Sequence, residues 1–161
     1  MDKLFPERHS NNMRNIRGKD TVPELAVRKL CRELDFSGYR IHRKELAGKP
    51  DLVWLGRKLA IFVHGCFWHG HDCPEGLRKP KSNRTYWIPK IEGNQKRDAE
   101  NVSRLRESDW DVLVVWECET TEQGLLSGKL TEFMTKIAQQ IAQPERGNCP
   151  ASGQLTVRTQ Q

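Results

Sequence analysis

Apolar residues recur along this chain with two different periods, and the changes of period divide it into elements. Val27, Leu30, Cys31 and Leu34 fall at i, i+3, i+4 and i+7, which is one face of an α-helix. Thr21-Val-Pro-Glu24 precedes them as a capping box, with Pro23 in the first turn and Gly38 as the stop. Three short strands are expected next: Tyr39 to Lys44, Asp51 to Leu55 and Leu59 to Val63. A turn at Gly56-Arg57 makes the last two a hairpin. His64 to Asn83 is rich in Gly, His, Cys and Pro and reads as a loop. A long helix is predicted from Trp87 to Leu105, with Pro89 in its first turn and Ile91, Val102 and Leu105 along one edge. Val112 to Trp116 is an apolar run of strand length, expected to be buried on both faces. A final helix, Lys129 to Ala142, gathers Leu130, Phe133, Met134, Ile137 and Ile141 on one side. The order helix, three strands, helix, strand, helix predicts an α/β fold on one mixed central sheet flanked by helices.

Composition narrows the class. A chain of 161 residues suits one domain. It divides into a polar, basic arm over 1–20, a catalytic domain over 21–143, and a segment over 144–161 with the composition of a disordered tail. No apolar run approaches the ~18 residues of a membrane span. Met1 to Ser10 alternates charge and polarity, unlike a signal peptide, so a cytoplasmic protein with no membrane partner is expected. The net charge of +6 favours a polyanionic partner. The five cysteines are odd in number, which argues against a disulfide framework and towards metal ligation where they cluster with histidine.

They do cluster. His64-Gly-Cys-Phe-Trp-His-Gly-His-Asp-Cys73 holds three of the five histidines and two of the five cysteines. Thiolate and imidazole together select Zn²⁺, and Cys66, His71 and Cys73 reach one ion from a single loop. Cys118, just past the Val112–Trp116 strand, is the natural fourth ligand. Four protein ligands leave no open position, so such an ion is structural. The alternative is buried free cysteines with surface histidines.

Pro50-Asp51 begins a strand, where a carboxylate can bind Mg²⁺ and present it to a phosphate. The hairpin would bring Asp51 to the end of the next strand, as in metal-dependent nucleases. The usual Glu-x-Lys is absent there, replaced by Phe62-Val-His64. A plain turn Asp is the competing reading. His64 and His69 remain after the zinc is supplied. An imidazole can take a proton from water attacking phosphorus, or can simply support the loop. Phe67, Trp68 and Trp87 are large aromatics in a basic, polar setting, suited to stacking on bases. For Phe67 and Trp68 the alternative is a hydrophobic lid over the zinc.

Together these residues resemble the very-short-patch repair (Vsr) endonucleases. The resemblance is carried by Asn12-Met-Arg14, Asp20-Thr21 with Glu24, Pro50-Asp51, the block from Phe62 to Cys73, Trp87 with Lys90-Ile91, Asn94, Arg97-Asp98, Ser103-Arg104-Leu105 and Val115-Trp-Glu-Cys118. It spans about residues 10 to 120. It implies a restriction-endonuclease-like core and double-stranded DNA with a T·G mismatch as substrate, the product of 5-methylcytosine deamination. The strand is nicked 5′ to the thymine. It further implies Asp51 and the main-chain carbonyl of Val63 as Mg²⁺ ligands, His69 as general base, and His64 and Glu24 in support, Glu24 through water. Cys66, His71, Cys73 and Cys118 match structural zinc ligands. Phe67, Trp68 and Trp87 match aromatics that wedge beside the mismatch. The arm around Met13, with Arg14 and Arg17, matches a DNA-contacting segment. The enzyme is expected to be a monomer, with mismatch-repair proteins as partners. Two departures stand out: Val63 where the family often has Thr, and Gly70 and Asp72 flanking His71 where it often has histidines. The competing functions are a restriction-like enzyme cutting both strands and a non-catalytic zinc-containing DNA-binding module.

Overall fold

The computed structural model describes residues 19–78, 80 and 83–142, and only the backbone over 136–142. The expectations for Met13, Arg14 and Arg17, for the tail, and for the Ile137 and Ile141 side chains lie outside the described residues.

The first helix, α1 (Val22–Glu33), starts as its sequence dictates. Thr21 is the N-cap, and its hydroxyl donates to Glu24 Oε1 at 2.9 Å. The Glu24 carboxylate also accepts the Asp20 N–H at 3.0 Å, so both groups close the open end of the helix. The stop comes earlier than Gly38. Asp35 takes the left-handed conformation, its N–H reaching Arg32 O, while Phe36 N–H reaches Cys31 O at 2.8 Å. This Schellman arrangement draws Phe36 against the core.

Four strands form one sheet in the order β1 (Arg40–Ile41), β2 (Leu52–Trp54), β3 (Leu59–His64), β4 (Asp111–Trp116). β1–β2 and β2–β3 are antiparallel, and β3–β4 is parallel. β1 is only two residues long because His42 turns left-handed at φ 49°. The β2–β3 hairpin closes through a 3-10 turn at Leu55–Arg57 with Lys58 left-handed. The expected loop after β3 contains a short helix, α2 (Cys66–His69). The long helix α3 (Arg84–Glu107) begins three residues before Trp87, after its N-cap Asn83, whose carbonyl accepts from Tyr86 and Trp87 N–H at 3.1 Å. Pro89 therefore lies in the second turn, not the first. The last helix, α4 (Gln123–Ala142), begins six residues before Lys129. Its start was hidden by Gly124 and Gly128, weak helix formers, yet Leu126 is fully buried one turn before Leu130.

Alternation along β3 fixes the layering. Leu59 and Ile61 pack with Val27, Leu30 and Cys31 of α1 and with Leu126, Leu130 and Met134 of α4. Ala60 and Phe62 pack on the opposite face with Leu105 and Val102 of α3. β3 is thus covered on both faces. Among the described residues β4 is an edge strand, and of its six residues Val115 alone is fully buried, which corrects the expectation of burial on both faces.

Candidate active site and metal centre

Strand register assembles both candidate sites. In the antiparallel pair Leu52 stands opposite Ile61, so Asp51 arrives at the end of β3. Its N–H donates to Ile61 O at 2.9 Å, and its Oδ2 accepts the Val63 N–H at 2.7 Å. In the parallel pair His64 stands opposite Trp116. Two residues beyond each come Cys66 and Cys118, and the Cys118 N–H points at Cys66 Sγ at 3.3 Å.

Glu24, Asp51, Val63, His64 and His69 line one cleft of about 500 Å³, with Trp68 on its wall. Burial raises the Asp51 carboxyl to about 7, and nearby Glu24 adds to the effect. Such a carboxylate is short of positive charge, which fits a divalent cation. His64 is buried, and burial, together with the neighbouring His69, lowers its imidazole to about 4. The two rings stack, centroids 4.1 Å apart and 7° from coplanar. His69 Nδ1 lies 2.5 Å from Asp98 Oδ2 on α3.

Arg28, in contact with the cleft residues Glu24 and His42, ties the acidic groups together. Its NH1 reaches Asp20 Oδ1 at 2.5 Å and its NH2 reaches Glu24 Oε2 at 2.9 Å. Both Glu24 and Arg28 are buried, so the pair keeps a cleft carboxylate in one orientation without leaving a buried charge uncompensated.

Beyond α2 the second group forms. Ligand atoms of Cys66, His71, Cys73 and Cys118 all lie within 4.8 Å of one another. His71 Nδ1 is 3.7 Å from Cys66 Sγ and 3.4 Å from Cys118 Sγ. Tetrahedral zinc with one imidazole and thiolate neighbours needs edges of about 3.6 Å, so the donor set fits. Gly76 N–H donates to Cys73 Sγ at 3.3 Å and lowers that thiol to about 7. Only glycine permits this approach, because a Cβ there would meet the His71 carbonyl oxygen at 2.0 Å. Burial instead pushes the Cys66 thiol up to about 12. The cluster's cover is Trp116, which stacks on His71 at 4.2 Å.

Phe67 and Trp68 contact other aromatic rings. They pack edge-on to each other at 5.0 Å, and Trp68 continues to Trp87 at 5.5 Å and thence to Tyr86. Lys90 Nζ sits 5.1 Å from the Trp87 ring centre. The result is a partly exposed aromatic ridge with a cation beside it. Asn94 and Gln95 of α3 anchor α2 by donating to the Trp68 and Gly70 carbonyls.

Three site neighbours had been given no role from sequence. Asp98 comes from a helix 29 positions from His69. His42 and Arg28 join the cleft through contacts between separate elements. Helix phase could have placed Asp98 and Arg28 on inward faces, but no local pattern pairs them with a histidine.

Residues 1–75 match the sequence profile of the family described as DNA mismatch endonuclease Vsr. The type II nicking enzyme V.XorIIP of Xanthomonas oryzae pv. oryzae is 46% identical over 133 residues, covering 83% of this chain and 96% of that protein. The type II nicking enzyme V.NmeAIP of Neisseria meningitidis is 39% identical over 138 residues, covering 84% and 96%. The DNA mismatch endonuclease Vsr of Escherichia coli is 39% identical over 109 residues, covering 68% and 69%. With carboxylates and imidazoles converging on one cleft of a mixed α/β sheet, these matches define a DNA endonuclease. The chain belongs to the Vsr family of DNA mismatch endonucleases. Among the described residues no helix is long and apolar enough to cross a membrane.

Proposed function

We propose that this enzyme nicks one strand of double-stranded DNA 5′ to the thymine of a T·G mismatch, by Mg²⁺-dependent hydrolysis on a restriction-endonuclease-like core. The observation that carries this reading is the convergence of Glu24, Asp51, Val63, His64 and His69 on one cleft bordered by Trp68.

Asp51 and the Val63 carbonyl would hold the Mg²⁺, which supplies charge neutralisation at phosphorus and at the leaving oxygen. The Val63 N–H fixes the Asp51 carboxylate through Oδ2. His69, with Nδ1 engaged by Asp98, presents Nε2 to the attacking water as general base. His64, buried and stacked on His69, limits that ring to one plane. Glu24, clamped by Arg28, would support the cation through water. Phe67, Trp68 and Trp87 are read as the wedge that enters beside the mismatch, which is already weakly stacked and therefore cheaper to open. Arg14 and Arg17 of the arm contact phosphates, and Met13 enters with them. Zn²⁺ on Cys66, His71, Cys73 and Cys118 ties the loop after β3 to the end of β4. The enzyme acts as a monomer in the cytoplasm, alongside mismatch-repair proteins.

The test is a strand-resolved gel assay with a T·G duplex, a matched duplex and Mg²⁺. One strand nicked on the mismatch alone is expected. Both strands cut, or neither, would overturn the reading.

A further inference from the structure

Between Glu24 and Asp51 stands a side chain that the mechanism above does not use. His42 follows β1 with left-handed backbone, and its ring lines the cleft. Left-handed backbone is unfavourable for a residue with a Cβ, and here it ends the strand where the ring enters the site. Arg28 NH2 lies 3.2 Å from His42 Nε2. A guanidinium only donates, so Nε2 is the acceptor, and the neutral ring carries its hydrogen on Nδ1. Nδ1 is the nitrogen 4.0 Å from Asp51 Oδ1. The remaining polar neighbours, Glu24 Oε2 at 3.8 Å and Asp20 Oδ1 at 3.9 Å, lie on the Nε2 side. Arg28 is itself held by those two carboxylates, so the donor that sets the tautomer is fixed.

We propose that His42 is a positioning residue for Asp51. Arg28 fixes its tautomer, and the Nδ1–H, too far for a direct bond at 4.0 Å, orients Oδ1 through one water while the Val63 N–H holds Oδ2. The carboxylate is thereby presented to a divalent cation from two sides. This inference rests on Asp51 as the cation ligand. Groups that support a ligand in this way typically change metal affinity by about tenfold to a hundredfold.

Two measurements on the full chain test it. The first is nitrogen NMR of the wild-type protein with ¹⁵N-labelled histidine, without divalent metal added or DNA. The neutral His42 ring is expected to carry its proton on Nδ1, and the Nε2–H tautomer would overturn the proposal. The second is Mn²⁺ binding followed by electron paramagnetic resonance. His42→Ala should weaken Mn²⁺ about tenfold or more, and His42→Asn, whose amide nitrogen takes the place of Nδ1, should recover most of the loss. Unchanged Mn²⁺ affinity in a His42→Ala protein with a wild-type melting curve sinks the inference, with Asp51→Ala as the reference. If Asp51→Ala abolishes Mn²⁺ binding while His42→Ala leaves it intact, the role of His42 alone fails. If Asp51→Ala also leaves it intact, the cation reading of Asp51 fails with it. Should His42→Ala not fold, the wild-type tautomer decides.

Discussion

His69 Nδ1 and Asp98 Oδ2 are 2.5 Å apart, across 29 positions of sequence. An ionised carboxylate only accepts, so His69 donates from Nδ1, and in the neutral ring Nε2 is the nitrogen free to accept. Asp98→Asn should remove this orientation without disturbing the stacked His64 ring. The single-turnover nicking rate on a T·G duplex is expected to fall about tenfold to a hundredfold, with mismatch affinity measured without Mg²⁺ unchanged. A rate equal to wild type would show that the dyad does not hold the base.

Asp51 yields a prediction about pH as well as catalysis. Burial raises its carboxyl from 3.8 to about 7. Between those values the folded protein holds a proton that the unfolded chain has lost. The Asp51 contribution to the stability of the metal-free protein is therefore fully present below about pH 4 and is lost as pH rises through about 7. Asp51→Asn should abolish nicking. It should also stabilise the metal-free fold by on the order of a few kcal/mol near pH 8 and by little near pH 4. Urea unfolding at the two pH values reads this directly, and an equal effect at both would contradict it. With limiting Mg²⁺, nicking should slow as pH falls below about 7, because protons then compete for the carboxylate.

The Cys66, His71, Cys73 and Cys118 group should bind one Zn²⁺ per chain, needed for folding and not for bond cleavage. Cys118→Ser removes one thiolate from a closed site and leaves Cys66 facing a hydroxyl. Zinc-depleted or insoluble protein is the expected outcome. Metal analysis finding no zinc in wild type, or a stable and active Cys118→Ser enzyme, would end this assignment.

Trp68 packs edge-on between Phe67 and Trp87. If this ridge stacks into DNA, Trp68→Ala loses a contact worth ~1–3 kcal/mol and about tenfold or more in mismatch affinity. Matched-duplex binding, carried by phosphate contacts, should persist and stay salt-sensitive. Parallel titrations at one salt concentration, with a melting curve, separate the outcomes. Equal loss on both duplexes with a large drop in Tm would make the ridge a core feature.

Much of the site was written in local sequence. Thr21 and Glu24 identified a helix start, and the 2.9 Å bond between them is that signal made physical. The dense His64–Cys73 block announced a group able to hold a metal ion, and Cys66, His71 and Cys73 do come together with Cys118. The apolar run Leu59 to Val63 announced a strand, while the covering of both its faces emerged only from the packing of the helices. Tertiary structure alone decided the rest. Val112 to Trp116 is as apolar as a central strand, yet nothing in it states that, among the described residues, β3 will be its one partner strand. Asp98 has no partner within its own helix, and its role exists only because α3 packs over α2 and sets that carboxylate on the His69 ring. His42 likewise gains its meaning from Arg28 on one side and Asp51 on the other, three elements brought together. Periodicity and caps act over one or two turns of chain, so sequence fixes them locally. A hydrogen bond between elements depends on the rotation and depth at which whole helices dock, which the summed packing of the core sets.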